Sequence, residues 1–340
     1  MRRSRTLLLL AALSLLVAPL AATQAQAAGF DGVPQFNHVF LIIGENTALS
    51  QITANNAPYQ VTHLEPNAAW FTNYWATSHY STSNYVAMTS GQYNACEQAD
   101  VKPIDCHEPI TRENLFNQLD GTRFSWKEWN ESMPTDAYGS GTGGCYLVNA
   151  GEDKTDNAYR PKHNPAEYYT NIVQDYSFYT TGNLPSQECR DKVVATGTTG
   201  PNDMTYFHTA LANHTAANFN YIVPNMCEDG HDNCKPTGNT ITQFDNFLAR
   251  EVPVITTAYP DALVMVVYDE GQGGSPNTGT KFGGGNVLFA MMGPQVKAGT
   301  TYADLLNHYS LLRMLENGYR ISSHPAGASD AAPFPASVWA

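Results

Sequence analysis

The stretches HVFLII (38–43), ALVMVVY (262–268) and NVLFAMMG (286–293) decide the fold. Each is short, rich in branched side chains and nearly without polar alternation, which is typical of strands in a parallel sheet covered by helices on both faces. NYIV (220–223) and RFSW (123–126) are weaker strand candidates. Because helical signals lie between these strands, the sequence predicts an α/β sandwich with a mainly parallel central sheet.

Three helix starts follow from local sequence. Thr111 opens the apolar stretch TRENLFNQL, and Thr240 with Gln243 has the spacing of a capping box. Thr301 with Asp304 has the same spacing ahead of the last predicted helix.

The first 27 residues have the pattern of a secretory signal peptide. Arg2, Arg3 and Arg5 form a positive start, an apolar run follows over 7–20, and Ala25-Gln26-Ala27 is an A-x-A cleavage site. That run is shorter than the roughly 20 residues of a membrane span. The sequence therefore predicts a secreted protein, extracellular or periplasmic, with no stable membrane anchor.

Residues 28–340 are predicted to form a single domain with a loop-rich excursion at about 130–205. Of the 340 residues, 42% are hydrophobic and 14% are charged, which excludes a disordered chain. There are 31 acidic and 18 basic residues. Since the predicted signal peptide holds three of the arginines, the mature chain is still more acidic, and nucleic acid is a poor partner for it.

An even number of cysteines in an exported chain predicts disulfides. The short loops favour Cys96–Cys106 and Cys227–Cys234, which leaves Cys145 with Cys189. The alternative, a zinc ion on Cys227, His231 and Cys234, matches none of the common zinc spacings.

Carboxylates follow two of the predicted strands directly. HVFLIIG runs into Glu45-Asn46, and ALVMVVY runs into Asp269-Glu270. Ligands of open α/β sheets bind at the carboxyl ends of strands, and oxygen donors suit Mg²⁺, Ca²⁺ or Mn²⁺. The alternative is a pair of solvated strand ends without a cation.

Three further stretches carry candidate chemistry. CEDGHDNC (227–234) places Asp229, His231 and Asp232 between two cysteines, a pattern suited to acid–base work or simply to a polar surface loop. SHYSTSNYVAMTSG (78–91) puts hydroxyls and an asparagine before a helix start, where an anion can bind. His308 lies in LLNHYSLLRMLENGY, either as a functional group or as a histidine at the edge of the core.

In order, the motifs GEN, H-x-S-x-x-NY, PN…D-x-HD, YDEG and HYSLLRMLE resemble the phosphoesterase family of secreted bacterial acid phosphatases and phospholipases C, within the alkaline phosphatase superfamily. The resemblance covers roughly residues 36–320 and is strongest to small secreted acid phosphatases active on phosphomonoesters, including phosphoinositides. It implies an alkaline-phosphatase-like fold and hydrolysis of phosphomonoesters through a phosphoserine. The implied partner is a small phosphorylated substrate, such as a phospholipid headgroup.

The resemblance also implies site roles. Glu45, Asn46, Asp269 and Glu270 would bind one divalent cation, although activity without a metal stays an alternative. Ser81 would be the nucleophile and Asn84 would hold a phosphate oxygen. The implied phosphate-facing groups are His231, Asp229, Asp232 and His308.

Two features leave alternatives open. Tyr80 and Ser83 stand where the family usually has prolines, so Thr82 is an alternative nucleophile. Among basic residues only Arg313 adjoins the motifs, so a cation or protonated histidines would have to neutralise the phosphate.

The competing functions are a phosphodiesterase of phospholipase C type and a non-catalytic secreted binding protein with the same fold.

Overall fold

The structure is a computed structural model. It describes residues 30–93, 100–135, 138, 143–155, 157–198, 200, 202–272 and 282–340. The predicted signal peptide and Cys96 lie outside these residues. Among the helices within them, none combines the length and apolar character needed to cross a membrane.

The described strands form one nine-stranded sheet at the centre of the molecule. Their bounds are β1 (Val39–Gly44), β2 (Ala69–Ala76), β3 (Trp126–Asn130), β4 (Val193–Ala195), β5 (Phe219–Val223), β6 (Leu263–Tyr268), β7 (Gly285–Met292), β8 (Thr300–Tyr302) and β9 (Leu306–Asn307). The spatial order is β4-β3-β5-β1-β6-β7-β2-β8, and β9 also pairs with β2. β1 is therefore a central strand.

All the described α-helices except the last lie in connections between strands, and the last one follows β9. They are α1 (Ser81–Ser90), α2 (Leu115–Asp120), α3 (Thr170–Val173), α4 (Phe178–Thr181), α5 (Gln187–Lys192), α6 (Thr205–Ala212), α7 (Thr240–Ala258) and α8 (His308–Gly318). Every residue of β1, β5 and β6 is buried, as strands covered on both faces must be.

The predicted α/β sandwich with a mainly parallel sheet is confirmed, with one exception. β1 is parallel to β5 and β6, and β3 is parallel to β4 and β5, but β7 is antiparallel to both β6 and β2. The carboxyl end of β7 therefore points to the opposite edge of the sheet. This explains why β1 and β6 end in carboxylates and β7 does not.

Two strand assignments need correction. RFSW marks only the start of β3, which begins at Trp126 and runs on to Asn130. The strand Ala69–Ala76 was not predicted, because its sequence AWFTNYWA mixes aromatic residues with Thr72 and Asn73 and has neither a continuous apolar run nor strict alternation.

All three predicted helices are present, but asparagines cap them in place of the predicted threonines. Asn114 caps α2 and Asn239 caps α7, and each side chain accepts an N–H of the first turn. Asn307 caps α8, whereas Thr301 lies in β8 and pairs with Trp70 of β2.

The excursion after β3 returns to the sheet edge at β4. The disulfide Cys145–Cys189 ties its two halves together, with 5.5 Å between the Cα atoms. The predicted Cys227–Cys234 disulfide is also present. Cys106 is disulfide-bonded.

A buried carboxyl group links this excursion to the sheet. Glu128 of β3 is fully buried, and its Oε2 accepts the Ala166 N–H at 3.1 Å. Burial raises the pKa of Glu128 to about 8. The folded chain therefore keeps this proton at pH values where an unfolded chain has lost it.

We expect this proton to make the fold more stable in acid than in base. Stability should fall as pH rises from the ordinary glutamate pKa toward 8, by about 1.4 kcal/mol per pH unit from this group alone. Urea unfolding at pH 5 and pH 8 would show a smaller loss of stability for Glu128→Gln than for the wild type. Glu152→Gln, at an exposed position, is the control, and equal losses in Glu128→Gln and wild type would contradict the prediction.

Candidate active site

The ends of β1 and β6 bring two of the predicted carboxylates together. The strands are parallel neighbours with Gly44 opposite Tyr268, so Glu45 and Asp269 emerge side by side. The Asn46 N–H donates to Asp269 Oδ1 at 3.0 Å. Asn46 has a φ of 51°, a left-handed conformation that asparagine tolerates better than most residues.

The Ser81 hydroxyl faces this carboxylate cluster. Its Oγ donates to Glu45 Oε2 at 3.1 Å, and the other oxygen of Glu45 accepts the Tyr85 hydroxyl at 2.7 Å. Ser81 is the first residue of α1, whose N-terminal dipole favours negative charge at that end. The contacts therefore place a serine hydroxyl between a carboxylate and a helix N-terminus.

The hydroxyl of the alternative nucleophile, Thr82, forms its hydrogen bonds away from Glu45. Its Oγ1 lies 3.0 Å from Asp100 Oδ1 and 3.2 Å from the Tyr168 hydroxyl, and its side chain is fully buried. This geometry favours Ser81 over Thr82.

Asn84 has a different environment from the one implied for a phosphate ligand. Its Oδ1 accepts the backbone N–H groups of Thr77 and Ser78 at 3.0 and 3.1 Å. Its Nδ2 donates to the carbonyls of Ser78 and Tyr80 at 2.7 and 3.2 Å. Both amide hydrogens are thus used in shaping the loop before Ser81, and the contact of Asn84 with a phosphate oxygen stays a prediction.

The loop 227–234 is held by its disulfide and by Gln243. The Gln243 side chain donates to the carbonyls of Cys227 and Asp232 at 2.6 and 2.7 Å and accepts the Cys234 N–H at 2.8 Å. Gln243 therefore anchors this loop and does not close the predicted capping box of α7. Because Cys227 and Cys234 are bonded to each other, the alternative zinc site is wrong.

This loop directs His231 into the site. Its Nδ1 lies 3.0 Å from Asp232 Oδ1, which leaves Nε2 for other contacts. Asp229 accepts the His231 N–H at 2.7 Å, and its own carbonyl accepts the Glu45 N–H at 2.7 Å. The hydrogen bond from His231 and that from the Lys154 N–H outweigh burial and lower the pKa of Asp232.

His163 and Lys162 complete the site and were missed by the sequence analysis. The His163 ring lies between two carboxylates, with Nε2 at 3.3 Å from Glu45 Oε1 and Nδ1 at 3.3 Å from Asp229 Oδ2. It also stacks on Tyr85, with 5.2 Å between ring centroids. Lys162 corrects the expectation that only Arg313 adjoins the motifs, since its charge acts on Glu45 and Asp269.

His308 is fully buried, and both of its ring nitrogens are occupied. Nε2 donates to the Asp269 carbonyl at 2.6 Å, so Nδ1 accepts the Tyr74 hydroxyl at 3.0 Å. Burial lowers the pKa of His308 to about 4. Both ring nitrogens of His308 thus contact the Asp269 carbonyl and the Tyr74 hydroxyl, and its catalytic contact with phosphate stays a prediction.

The third predicted carboxylate, Glu270, is oriented by His79, the histidine of the H-x-S motif, to which the sequence analysis assigned no role. His79 Nδ1 lies 2.8 Å from Glu270 Oε2. The Glu270 N–H also donates to Asp269 Oδ1 at 2.5 Å. All four residues predicted to bind a cation therefore lie in one region.

The positive side chains of this region do not offset the burial and mutual repulsion of its carboxylates. Burial, and then the neighbouring Asp269, raise the pKa of Glu45 well above its usual range. Burial, and then Glu270, do the same for Asp269. Burial together with Glu45 also raises the pKa of Asp229. Buried carboxylates held this close favour a bound cation.

Several buried atoms at the site are unsatisfied. His163 Nε2, Asp229 Oδ2 and Asp269 Oδ2 have no hydrogen-bond partner among the described residues. Glu45, His163 and His231 each offer a ligand atom, all within 4.8 Å of one another. These three residues form a donor set that fits a divalent cation, and Asp269 and Glu270 do not belong to this set of mutually close ligand atoms.

The fold resembles that of solved proteins of the alkaline phosphatase superfamily. It is similar to a protein of that superfamily from Vibrio parahaemolyticus, with a TM-score of 0.51, 10% identity, and coverage of 89% of this chain and 71% of the other. It is also similar to the lipoteichoic acid synthase LtaP from Listeria monocytogenes, with a TM-score of 0.53, 9% identity, and coverage of 91% and 80%. The chain belongs to the Phosphoesterase family, whose model matches residues 23–322.

Three relatives carry phosphatase names. A probable acid phosphatase of Kluyveromyces lactis is 26% identical over 83% of this chain and 58% of its own length. The phosphate-repressible acid phosphatase of Penicillium chrysogenum is 28% identical over 77% of this chain and 55% of its own. The phosphatidylinositol-3-phosphatase of Mycobacterium tuberculosis is 23% identical over 96% and 91%. The chain thus spans little more than half the length of the two fungal relatives.

Proposed function

We propose that this protein is a secreted phosphomonoester hydrolase of the acid phosphatase type that acts through a phosphoserine at Ser81. The observation that carries the proposal is the Ser81 hydroxyl, 3.1 Å from a buried Glu45 carboxylate at the meeting point of two parallel strands. Membership of the Phosphoesterase family and the acid phosphatase relatives support the same reaction.

In the first step, the Ser81 hydroxyl passes its proton to Glu45 and its Oγ attacks phosphorus in line. The Ser81 Oγ already donates to Glu45 Oε2 at 3.1 Å, so this carboxylate oxygen lies in place to receive the proton. The bond from phosphorus to the ester oxygen breaks as the Oγ–phosphorus bond forms.

His231 is the group that protonates the departing oxygen. Its Nδ1 donates to Asp232, so the imidazolium form of His231 carries its transferable proton on Nε2. The alcohol then leaves, and a water molecule gives a proton to His231 as it attacks the phosphoserine. Ser81 recovers its proton from Glu45, which returns every group to its initial state.

The donors Glu45, Asn46, Asp269 and Glu270 would hold the cation, with His163 on the other side of Glu45. When bound, a divalent cation would offset the charge of the phosphate and lower the pKa of the serine hydroxyl. Lys162 adds a fixed positive charge, and burial with Lys162 beside it keeps the pKa of His163 well below its usual range.

Export fits the disulfides Cys145–Cys189 and Cys227–Cys234, because such bonds persist in oxidising compartments. The predicted signal sequence supplies the route. We therefore include secretion in the proposed function.

Turnover of p-nitrophenyl phosphate, compared with bis-p-nitrophenyl phosphate, tests this proposal. We expect hydrolysis of the monoester and at least a tenfold lower kcat/KM for the diester. Preference for the diester would assign the phosphodiesterase alternative. Hydrolysis of neither substrate, across pH 4–9 and with Mg²⁺, Mn²⁺ or Ca²⁺ supplied, would favour the binding protein.

A further inference from the structure

A cavity of about 270 Å³ opens at the edge of the sheet where β4 lies beside β3. Trp129 of β3 and Val194 of β4, which stand opposite each other in the two strands, line it together with Tyr206 of α6. None of its described lining residues belongs to the candidate active site. Its volume is close to the lower end of ligand pockets, roughly 300 Å³, so a small molecule would fill it.

Most of the surface of this cavity is apolar. Met133 and Ala195 line it and also pack with Tyr159 in a small buried cluster, and Trp129 is buried as well. Tyr206, by contrast, is 47% exposed. Because this apolar surface is concave and open to water, it favours binding of an apolar group.

Lys127 brings a positive charge to this apolar wall. Since alternate residues of a strand share one face of the sheet, its side chain lies on the same face as Trp129. The Lys127 Nζ is 5.2 Å from the centre of the Trp129 ring. Burial lowers the pKa of Lys127, and the charge of Asp191 raises it by less. No ion pair joins the Lys127 ammonium to a carboxylate in the described part of the chain, so this half-buried ammonium favours an added anionic partner.

The described lining residues include two basic side chains and no acidic one. The second basic residue is Arg190 of α5, whose Nε donates to the Pro185 carbonyl at 3.1 Å and whose Nη2 donates to Gln187 Oε1 at 2.8 Å. The whole chain has a formal charge of −13. The cavity therefore attracts anions locally, although the protein as a whole repels them.

Backbone contacts and a disulfide fix the wall on the side of the excursion. The Gly144 N–H donates to the Arg190 carbonyl and the Cys145 N–H donates to the Val193 carbonyl, both at 2.8 Å. A Cβ at Gly144 would collide with the Val193 carbonyl oxygen, so only glycine permits this close approach. The Cys145–Cys189 disulfide joins the same two segments. The cavity is therefore formed before a ligand enters, which lowers the entropic cost of binding.

The charge and the apolar surface together select the ligand. A neutral apolar molecule would cover the Lys127 ammonium without giving it a partner, which costs free energy of desolvation. A phosphate ester carries nearly two charges, and the Arg190 guanidinium already donates hydrogen bonds to the chain. A single carboxylate on an apolar body matches one ammonium beside an apolar wall.

We propose that this cavity is a second binding site, for a small monocarboxylate with an apolar ring or chain. The carboxylate would pair with the Lys127 ammonium, and the apolar body would pack against Met133, Val194 and Tyr206. The site is independent of the proposed function, because none of its described residues takes part in the phosphatase steps.

Isothermal titration calorimetry at pH 7 tests this proposal with 3-phenylpropionate and its neutral analogue 3-phenylpropanamide. We expect the Kd of the acid to be at least fivefold lower than the Kd of the amide. Lys127→Met keeps an apolar stem and removes the charge, so it should bring the two Kd values within twofold of each other. Tyr206→Ser should weaken binding of both ligands threefold or more.

Two further variants serve as controls. Lys297→Met removes an exposed lysine that does not line the cavity, and it should leave both Kd values unchanged. Lys127→Arg keeps the positive charge and should keep the preference for the acid. Far-UV circular dichroism and the unfolding midpoint establish that each variant is folded.

The inference is wrong if the wild type shows no saturable binding of 3-phenylpropionate at millimolar concentration, or binds the acid and the amide equally. A preference for the acid that survives in Lys127→Met would also overturn it. Competition between 3-phenylpropionate and p-nitrophenyl phosphate, unchanged in Lys127→Met, would place the acid in the candidate active site instead. A protein without phosphatase activity that still shows the preference dependent on Lys127 would keep this site and lose only the proposed function.

Discussion

Ser81→Ala should lower kcat for p-nitrophenyl phosphate by at least about 10³-fold, because it removes the atom that forms the bond to phosphorus. The Ser81 hydroxyl is buried and donates to Glu45, so the substitution leaves one carboxylate oxygen with a single remaining donor, Asn46 Nδ2. Trapping of a phosphoenzyme in acid, followed by peptide mapping, should locate phosphate on Ser81 in the wild type.

The matched controls are its two neighbours in the same helical turn. Ser83 donates to the Tyr80 carbonyl at 2.6 Å, and Thr82 bonds to Asp100, so neither hydroxyl faces Glu45. We expect Ser83→Ala and Thr82→Val to keep activity within about tenfold of the wild type per folded molecule. An active Ser81→Ala protein together with an inactive Thr82→Val protein would make Thr82 the nucleophile.

Removal of divalent cations should abolish most turnover, and Asp269→Asn should reduce both metal content and kcat by roughly 10²-fold. Asp269 lies between Asn46 and Glu270, and its Oδ2 has no hydrogen-bond partner within the described part of the chain. Elemental analysis and chelation followed by addition of Mg²⁺ or Mn²⁺ provide the two measurements.

Asp245→Asn is the control for losing a buried carboxylate. Asp245 accepts the N–H groups of Tyr59 and Gln60 at 3.0 and 2.8 Å and takes no part in the candidate site. The Asp245→Asn substitution should lower the free energy of unfolding without changing the metal content of the protein. A fully active, metal-free protein would remove the cation from the mechanism and leave the histidines to bind phosphate, with activity confined to acidic pH.

The strands that bear the site could be predicted because their signal is local. β1 and β6 are continuous apolar runs, and the carboxylates that follow them must lie at one edge if the strands are parallel. β2 gave no such signal, and the direction of β7 depends on its neighbours in the sheet, which no local pattern specifies.

The site itself was predicted only in part. Glu45, Ser81, Asp229, His231 and Asp269 lie together as their motifs suggested. His163 could not be found in this way, because it lies in a short 3-10 turn, Pro161–His163, within a loop-rich segment without periodicity. Asn84 and His308 were also named from their motifs. Only the packed structure shows that the Asn84 amide bonds to backbone groups and that the His308 ring contacts the Asp269 carbonyl and the Tyr74 hydroxyl.

The central position of β1 has a consequence for synthesis of the chain. Both neighbours of β1 come from the second half of the sequence, with Val39 opposite Phe219 on one side and Leu263 on the other. A nascent chain that has reached residue 210 already contains Glu45, Ser81 and His163. It still lacks β5 and β6, the two strands that flank β1 and so position Glu45. Translation must therefore pass β6 before the sheet around β1 can form, so products terminated before β6 should be inert.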